Sequence, residues 1–216
     1  MNSFLILLLS LTLNAQANLN AQAKNYPDHW WKPVTDLASW EIGPEAGEKG
    51  KSVVLSKRNE LGILSNFAHT PFELDGVKYQ SIEGLWQSMK FPEEVLEGAK
   101  DERAKLANWK YTRAEVAQMV AFEAKEAGSY ASSIMKANKI DWVSYQGKKM
   151  IYKTSKKLEH YKIIVKAMKA KLNQNKKVAD ILRATKGLKL LPDHKTMPTD
   201  PPAWKYYQIW MELRDN

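Results

Sequence analysis

Glu83, Gln87 and Lys90 fall at positions i, i+4 and i+7 of a stretch that reads IEGLWQSMKF. In a helix started by Ser81, a favourable N-cap, that spacing puts acid, amide and ammonium on one face. Together they could clamp a sugar phosphate, or the carboxylate could be the working acid of an active site. A first-turn glutamate is also an ordinary structural residue, favoured by the exposed N–H groups there. Both readings stay open at this level. Ile82, Leu85, Trp86 and Met89 form an apolar side that would dock the helix. Gly84 costs a helix about 1 kcal/mol against alanine. Its bare Cα would let a ligand approach the backbone closely.

The elements that must position this helix can be read in part. Ser52–Lys57 looks like a short strand from its β-branched residues. Asp75-Gly76, between two short alternating runs, signals a two-residue hairpin turn. Residues 93–108, 112–128, 148 to about 174, and 176–185 read as helices. Thr112 with Glu115 forms a capping box, and Gly128 and Gly187 read as C-terminal stops. An aromatic turn and a short helix close the chain. The fold class is α+β, mainly helical, with a small antiparallel sheet in the N-terminal half.

The chain has 216 residues and suits one domain. Residues 1–23 read as a signal peptide, with an apolar run and A-x-A sites ending at Ala17 and Ala23. No Lys or Arg precedes the run. Residues 24–51 are an irregular extension, and 52–216 form the domain. The expected location is periplasmic or secreted, with no membrane span after signal removal. The absence of Cys excludes disulfides, thiol nucleophiles and Cys–zinc sites. Nothing suggests a metal or redox cofactor. A net charge of +9 with eight Trp and nine Tyr favours anionic, ring-bearing partners, nucleotides or nucleic acid. The same charge also fits solvated lysine faces.

Residues 62–91 closely resemble the signature of the NADAR superfamily, also called YbiA-like or DUF1768 proteins. The matching residues are Gly62, Leu64, Ser65, Asn66, Phe67, Pro71, Phe72, Asp75, Gly76, Tyr79, Ser81, Glu83, Trp86, Gln87, Lys90 and Phe91. The likeness extends to the closing WMELR. It implies a metal-free α+β domain active on N-ribosyl bonds, such as those of riboflavin intermediates or ADP-ribosylated guanine. Glu83 then matches the active-site acid. Ser65, Asn66 and Phe67 match a pocket loop, and Trp86, Gln87 and Lys90 match the aromatic-Q-x-x-K positions. Some members are thought to use a lysine Schiff base, for which Lys57 and Lys90 are the candidates. Arg58 could grip a phosphate bidentately.

The C-terminal part departs from the family pattern. Asp200 and Trp204 stand roughly where the family has Asp and Trp, without the glycines that follow. Trp109 matches a family pocket tryptophan by its distance from the K-F motif. Asp193 and His194 have no family counterpart, but a loop His could protonate a leaving group. Three functions stay open. The first is an exported N-glycosidase acting on a phosphorylated ribosyl compound, with Glu83 leading. The second is a nucleotide-binding module without catalysis. The third is a basic nucleic-acid-binding protein.

Overall fold

The computed structural model describes residues 25–216, so the expected signal peptide lies outside the described residues. The chain enters through two 3-10 turns, Asp28–Trp31 and Pro44–Ala46, the first of which buries Trp30 in the core. Then come β1 (Ser52–Val54), a 3-10 turn over Glu60–Leu64, β2 (Phe72–Leu74) and β3 (Val77–Tyr79), followed by α1 (Ile82–Ser88). Next are β4 (Val95–Leu96), β5 (Ala99–Lys100), a 3-10 turn over Glu102–Lys105, α2 (Arg113–Ala117) and α3 (Ala121–Ala137). The chain finishes with β6 (Trp142–Tyr145), β7 (Lys148–Ile151), α4 (Glu159–Gln174), α5 (Lys176–Ala184), β8 (Lys189–Leu191), a 3-10 turn over Pro202–Trp204 and α6 (Tyr206–Asp215).

The fold is α+β. Among the described residues the strands pair only in twos. The hairpin β2–β3 lies where the sequence places it, and Asp75 and Gly76 both take positive φ, as a tight two-residue turn requires. Two further hairpins overturn helical expectations. Residues 93–108 fold into β4–β5 and a 3-10 turn, and the start of 148–174 belongs to β6–β7. Each turns on an X-Gly pair, Glu97-Gly98 and Gln146-Gly147, again with both residues at positive φ. β1 pairs in parallel with β8, from the far end of the chain.

The helix expected over 112–128 is broken after Ala117 and resumes at Ala121, which sits at φ 49°. Gly128 is therefore inside α3 and stops nothing. Gly187, at φ 99° beyond α5, does end its helix region. The main core gathers α1, α4, α5, α6 and β1 around Leu55, Leu64, Ile82, Met89 and Trp210. A smaller cluster joins α2 and α3 to Phe91. No helix among the described residues is long and apolar enough to cross a membrane.

Candidate functional site

α1 is held at both ends. At its start, Ser81 Oγ accepts from Gly84 N and donates to Met119 O, both at 2.9 Å. Gly84 is needed for this crossing, since a Cβ there would lie 2.6 Å from Met119 O. The bare Cα thus admits a neighbouring carbonyl, where the sequence suggests a ligand. At the other end two guanidiniums donate to carbonyls at and just beyond the C-cap Met89, where the macrodipole favours cations. Arg103 Nη1 donates to Met89 O at 3.1 Å, and Arg113 Nη2 to Phe91 O at 2.9 Å. Arg103 is itself held by Asp101 in a fully buried ion pair.

The loop Ser65–Phe67 is fixed from three sides. Glu83 N donates to Asn66 O at 2.9 Å. Trp210 Nε1 donates to Leu64 O at 2.7 Å, and the buried Lys171 ammonium to Ser65 O at 2.8 Å. The closing helix α6, through Trp210, thereby supports the loop from behind.

Between α1 and this loop opens a cavity of about 630 Å³. Glu83, Trp86, Gln87 and Lys90 line it from α1, with Ser65, Asn66 and Phe67 beside them. Phe122, Lys125, Ser129 and Ser132 come from one face of α3. Tyr152 and Lys153 follow β7. Asp193, His194, Lys195, Trp204 and Tyr206 close the far side, and Trp40 and Lys57 complete the wall.

Glu83 is only 8% exposed. Gln87 Nε2 donates to its Oε1 at 2.7 Å. Burial pushes the carboxyl above its ordinary pKa, against the opposing pull of the Gln87 hydrogen bond and the Lys90 charge. Lys90 donates to Ser132 Oγ at 2.9 Å and to Gly128 O at 3.3 Å. Burial pushes it down to about 8, with Glu83 pulling the other way. Behind Trp86, buried His160 is pushed down to about 4 by burial and by the Lys90 charge, so it is neutral at pH 7.

Across the cavity the Lys57 ammonium is bonded to Asp193 and lies 5.3 Å from the Trp40 ring and 5.4 Å from the Phe67 ring. Burial alone would raise the Asp193 pKa. The His194 hydrogen bond and the Lys57 charge outweigh it and hold the carboxylate below its ordinary value. His194 Nδ1 donates to Asp193 Oδ1 at 3.0 Å, and Tyr206 OH also reaches Oδ1, at 3.3 Å. Among the described residues, no group of three or more His, Asp or Glu is placed to hold a metal ion.

Most residues singled out from the sequence meet here, and three do not. Asp200 accepts from Met197 N at 2.7 Å in its own turn, away from the cavity. Arg58, read as a phosphate grip, binds Glu41 and the Asp36 carbonyl. Trp109 packs on Phe91 with ring centroids 5.2 Å apart and donates to Arg103 O at 2.9 Å, so it belongs to the small core. The sequence reading missed Trp40, Tyr152, Lys153, Lys195, Tyr206 and the α3 group. The α3 group carried a usable signal: positions 122, 125, 129 and 132 share a helix face.

No protein-family model matches the sequence, and no curated protein matches it. The chain is similar to the E. coli protein YbiA. The NMR structure of YbiA aligns with a TM-score of 0.45 and 17% sequence identity, covering 85% of this chain and 92% of YbiA.

Proposed function

We propose that the chain hydrolyses the N-ribosyl bond of a phosphorylated ribosyl compound, such as a riboflavin-type intermediate, NAD or an ADP-ribose derivative. The supporting observation is Glu83, a buried carboxylate lining a cavity whose charged partners are mainly lysines. Cleavage of such a bond puts positive charge on the ribose anomeric carbon. A carboxylate alongside stabilises that charge and can take a proton from the attacking water. The C–N bond breaks as the C–O bond forms, and the leaving nitrogen gains a proton. We assign that proton to His194, which lines the cavity and is hydrogen-bonded to Asp193. Lys125, Lys153 and Lys195 line the cavity and form no ion pair among the described residues, so a substrate phosphate would answer their charge. A carboxylate whose pKa is raised by burial is a stronger base than a free one, which suits a group that takes a proton from water.

A second mechanism is favoured by the Lys90 value of about 8. An amine partly neutral near pH 8 can attack C1 of the ring-opened riboside, form a Schiff base as the C–N bond to the base breaks and the leaving nitrogen takes a proton, and be freed when water hydrolyses the imine. Export, read from residues 1–23, is part of the same proposal and would place the chemistry outside the cytoplasm.

The test is to incubate the purified protein with NAD, ADP-ribose and ribosylamino-pyrimidine phosphates and follow base release. Release should fall by about 10²-fold or more in Glu83→Gln. Equal rates in variant and wild type would defeat the assignment of Glu83. Tight binding without release would leave a nucleotide-binding module. Salt-sensitive nucleic-acid binding without turnover would favour the third reading.

A further inference from the structure

Large aromatic side chains exposed to solvent lose the benefit of burial, so a group of them marks a surface that something covers. Three such residues are found here: Trp40 at 41%, Phe122 at 49% and Trp204 at 40% exposure, and all three line the cavity. Trp40 meets the Phe122 ring edge-on at 6.2 Å, and Phe122 meets Phe67 edge-on at 5.3 Å. Phe122 follows Ala121, which holds a left-handed φ of 49° at the start of α3. Left-handed backbone is costly for a residue with a β-carbon, and such strain gathers at functional sites.

Trp40 reaches the cavity on a segment that is anchored, not loose. Arg58 Nε donates to Glu41 Oε1 at 3.1 Å, and its Nη2 bonds both Glu41 and the Asp36 carbonyl, the latter at 3.3 Å. Ala38 N donates to Glu41 Oε2 at 2.9 Å, and Ile42 N donates to Asp193 O at 2.8 Å. Glu41 forms an antiparallel bridge with His194. The strap is therefore tied to the loop of Lys57 and Arg58 on one side and to the Asp193–His194 loop on the other. Both loops belong to the cavity, so the placement of Trp40 is coupled to the site itself.

We infer that Trp40 is a specificity-determining residue that stacks on the planar base of the substrate, and that Arg58 with Glu41 positions it. The inference rests on the ribosyl-site reading for the location of the sugar. Base–aromatic stacking is worth about 5- to 100-fold in affinity and tolerates different bases. A ribosyl phosphate without a base makes no such contact.

The test compares binding of AMP and of ribose 5-phosphate, two probes that differ by the base, using calorimetry on the full chain. The wild type should bind AMP about 5- to 100-fold more tightly. Trp40→Ala should remove most of that ratio with little effect on ribose 5-phosphate, and Trp40→Phe should restore part of it. Arg58→Gln should lower the ratio with Trp40 still present, which a purely structural ion pair would not do. Thermal unfolding of each variant checks that it is folded. No preference in the wild type, or a ratio unchanged in Trp40→Ala, overturns the inference. If the preference is present and no base is released from any substrate, the hydrolase reading fails and the stacking assignment stands.

Discussion

The end of the Gln87 side chain occupies the space that a β-carbon on Gly128 would take. Its Oε1 lies 1.7 Å and its Cδ 2.2 Å from that position. Gln87 is the residue that donates to Glu83, so a glycine inside α3 determines how the acid on α1 is held.

Gly128→Ala therefore separates stability from function. Alanine is the better helix former by about 1 kcal/mol, and the clash is with a single side chain, from Oε1 back to Cγ at 2.7 Å, so Gln87 must rotate as a whole. The variant should fold with a melting temperature close to wild type. Gln87 must swing away, and the 2.7 Å bond to Glu83 is lost. Turnover should fall about tenfold or more, because the carboxylate loses its orienting donor. A crystal structure of the variant with Gln87 unmoved would refute this.

The buried Glu83 should also leave a mark on stability. Its folded pKa is raised above 4.5 by burial, so the fold holds the proton more tightly than the unfolded chain does. Stability from this group is greatest below about pH 4.5 and declines as pH rises through the raised value. Above that window the loss is about 1.4 kcal/mol for every tenfold by which the fold tightens its hold on the proton. Glu83→Gln keeps the shape and removes the charge. It should match wild type near pH 4 and melt higher at pH 8, by about 2–4 °C per kcal/mol in a chain of this size. Turnover should fall by about 10²-fold or more in the same variant. A melting difference that does not change with pH would contradict the assignment.

Lys171 gives the opposite slope. Burial pushes its amine down to about 7 from an ordinary 10.5. The fold prefers the neutral amine, so this group destabilises most below pH 7, and the cost fades toward pH 10.5. Lys171→Met should be the more stable protein at pH 6. The gain should shrink on the way to pH 10 and then reverse slightly, because Ser65 O has lost its donor. Ligand affinity should drop at every pH as the Ser65–Phe67 loop loosens. Melting curves between pH 6 and pH 10 decide the first point and calorimetry the second.

What could be read from the sequence was what depends on neighbours along the chain. The Ser81 cap, the Thr112–Glu115 capping box and the Asp75-Gly76 turn are each fixed within a few residues, and all three are observed. The turns at Glu97-Gly98 and Gln146-Gly147 use the same backbone geometry, but Glu and Gln do not advertise left-handed φ as Asp and Asn do. A helix was therefore read across Glu97-Gly98, and the turn at Gln146-Gly147 went unread. The α1 face with Glu83, Gln87 and Lys90 was legible because one helix carries it. Of the opposite wall, Lys57, Asp193, His194 and Trp204 were singled out, whereas Trp40, Lys125 and Tyr206 were not, since they are brought there by packing across long stretches of chain. The β1–β8 pairing, the strap and the role of Gly128 are likewise products of contact between distant segments. Gly128 showed only as a glycine in a helical pattern, and a stop is the commoner meaning of that signal.

The Lys57–Asp193 pair supports a prediction that a single substitution cannot test. Asp193 is 2% exposed and is held by Lys57, His194 and Tyr206. Replacing Lys57 with Met leaves a buried carboxylate short of its main countercharge, which should cost roughly 1–3 kcal/mol. The folded Asp193 pKa is depressed, so its favourable interactions are present above its ordinary value of 3.8 and are lost as pH falls through the folded value. The penalty of Lys57→Met should accordingly shrink as pH is lowered below 4. Asp193→Asn combined with Lys57→Met removes both charges together. The double variant should then be more stable than Lys57→Met alone, with a coupling of about 0.5–3 kcal/mol in a double-mutant cycle by urea unfolding at pH 7. Additive effects in that cycle would mean that the two groups do not depend on each other. In the same cycle the coupling should shrink as pH is lowered below 3.8 and through the depressed folded value, because protonating the acid removes the charge that answers the ammonium.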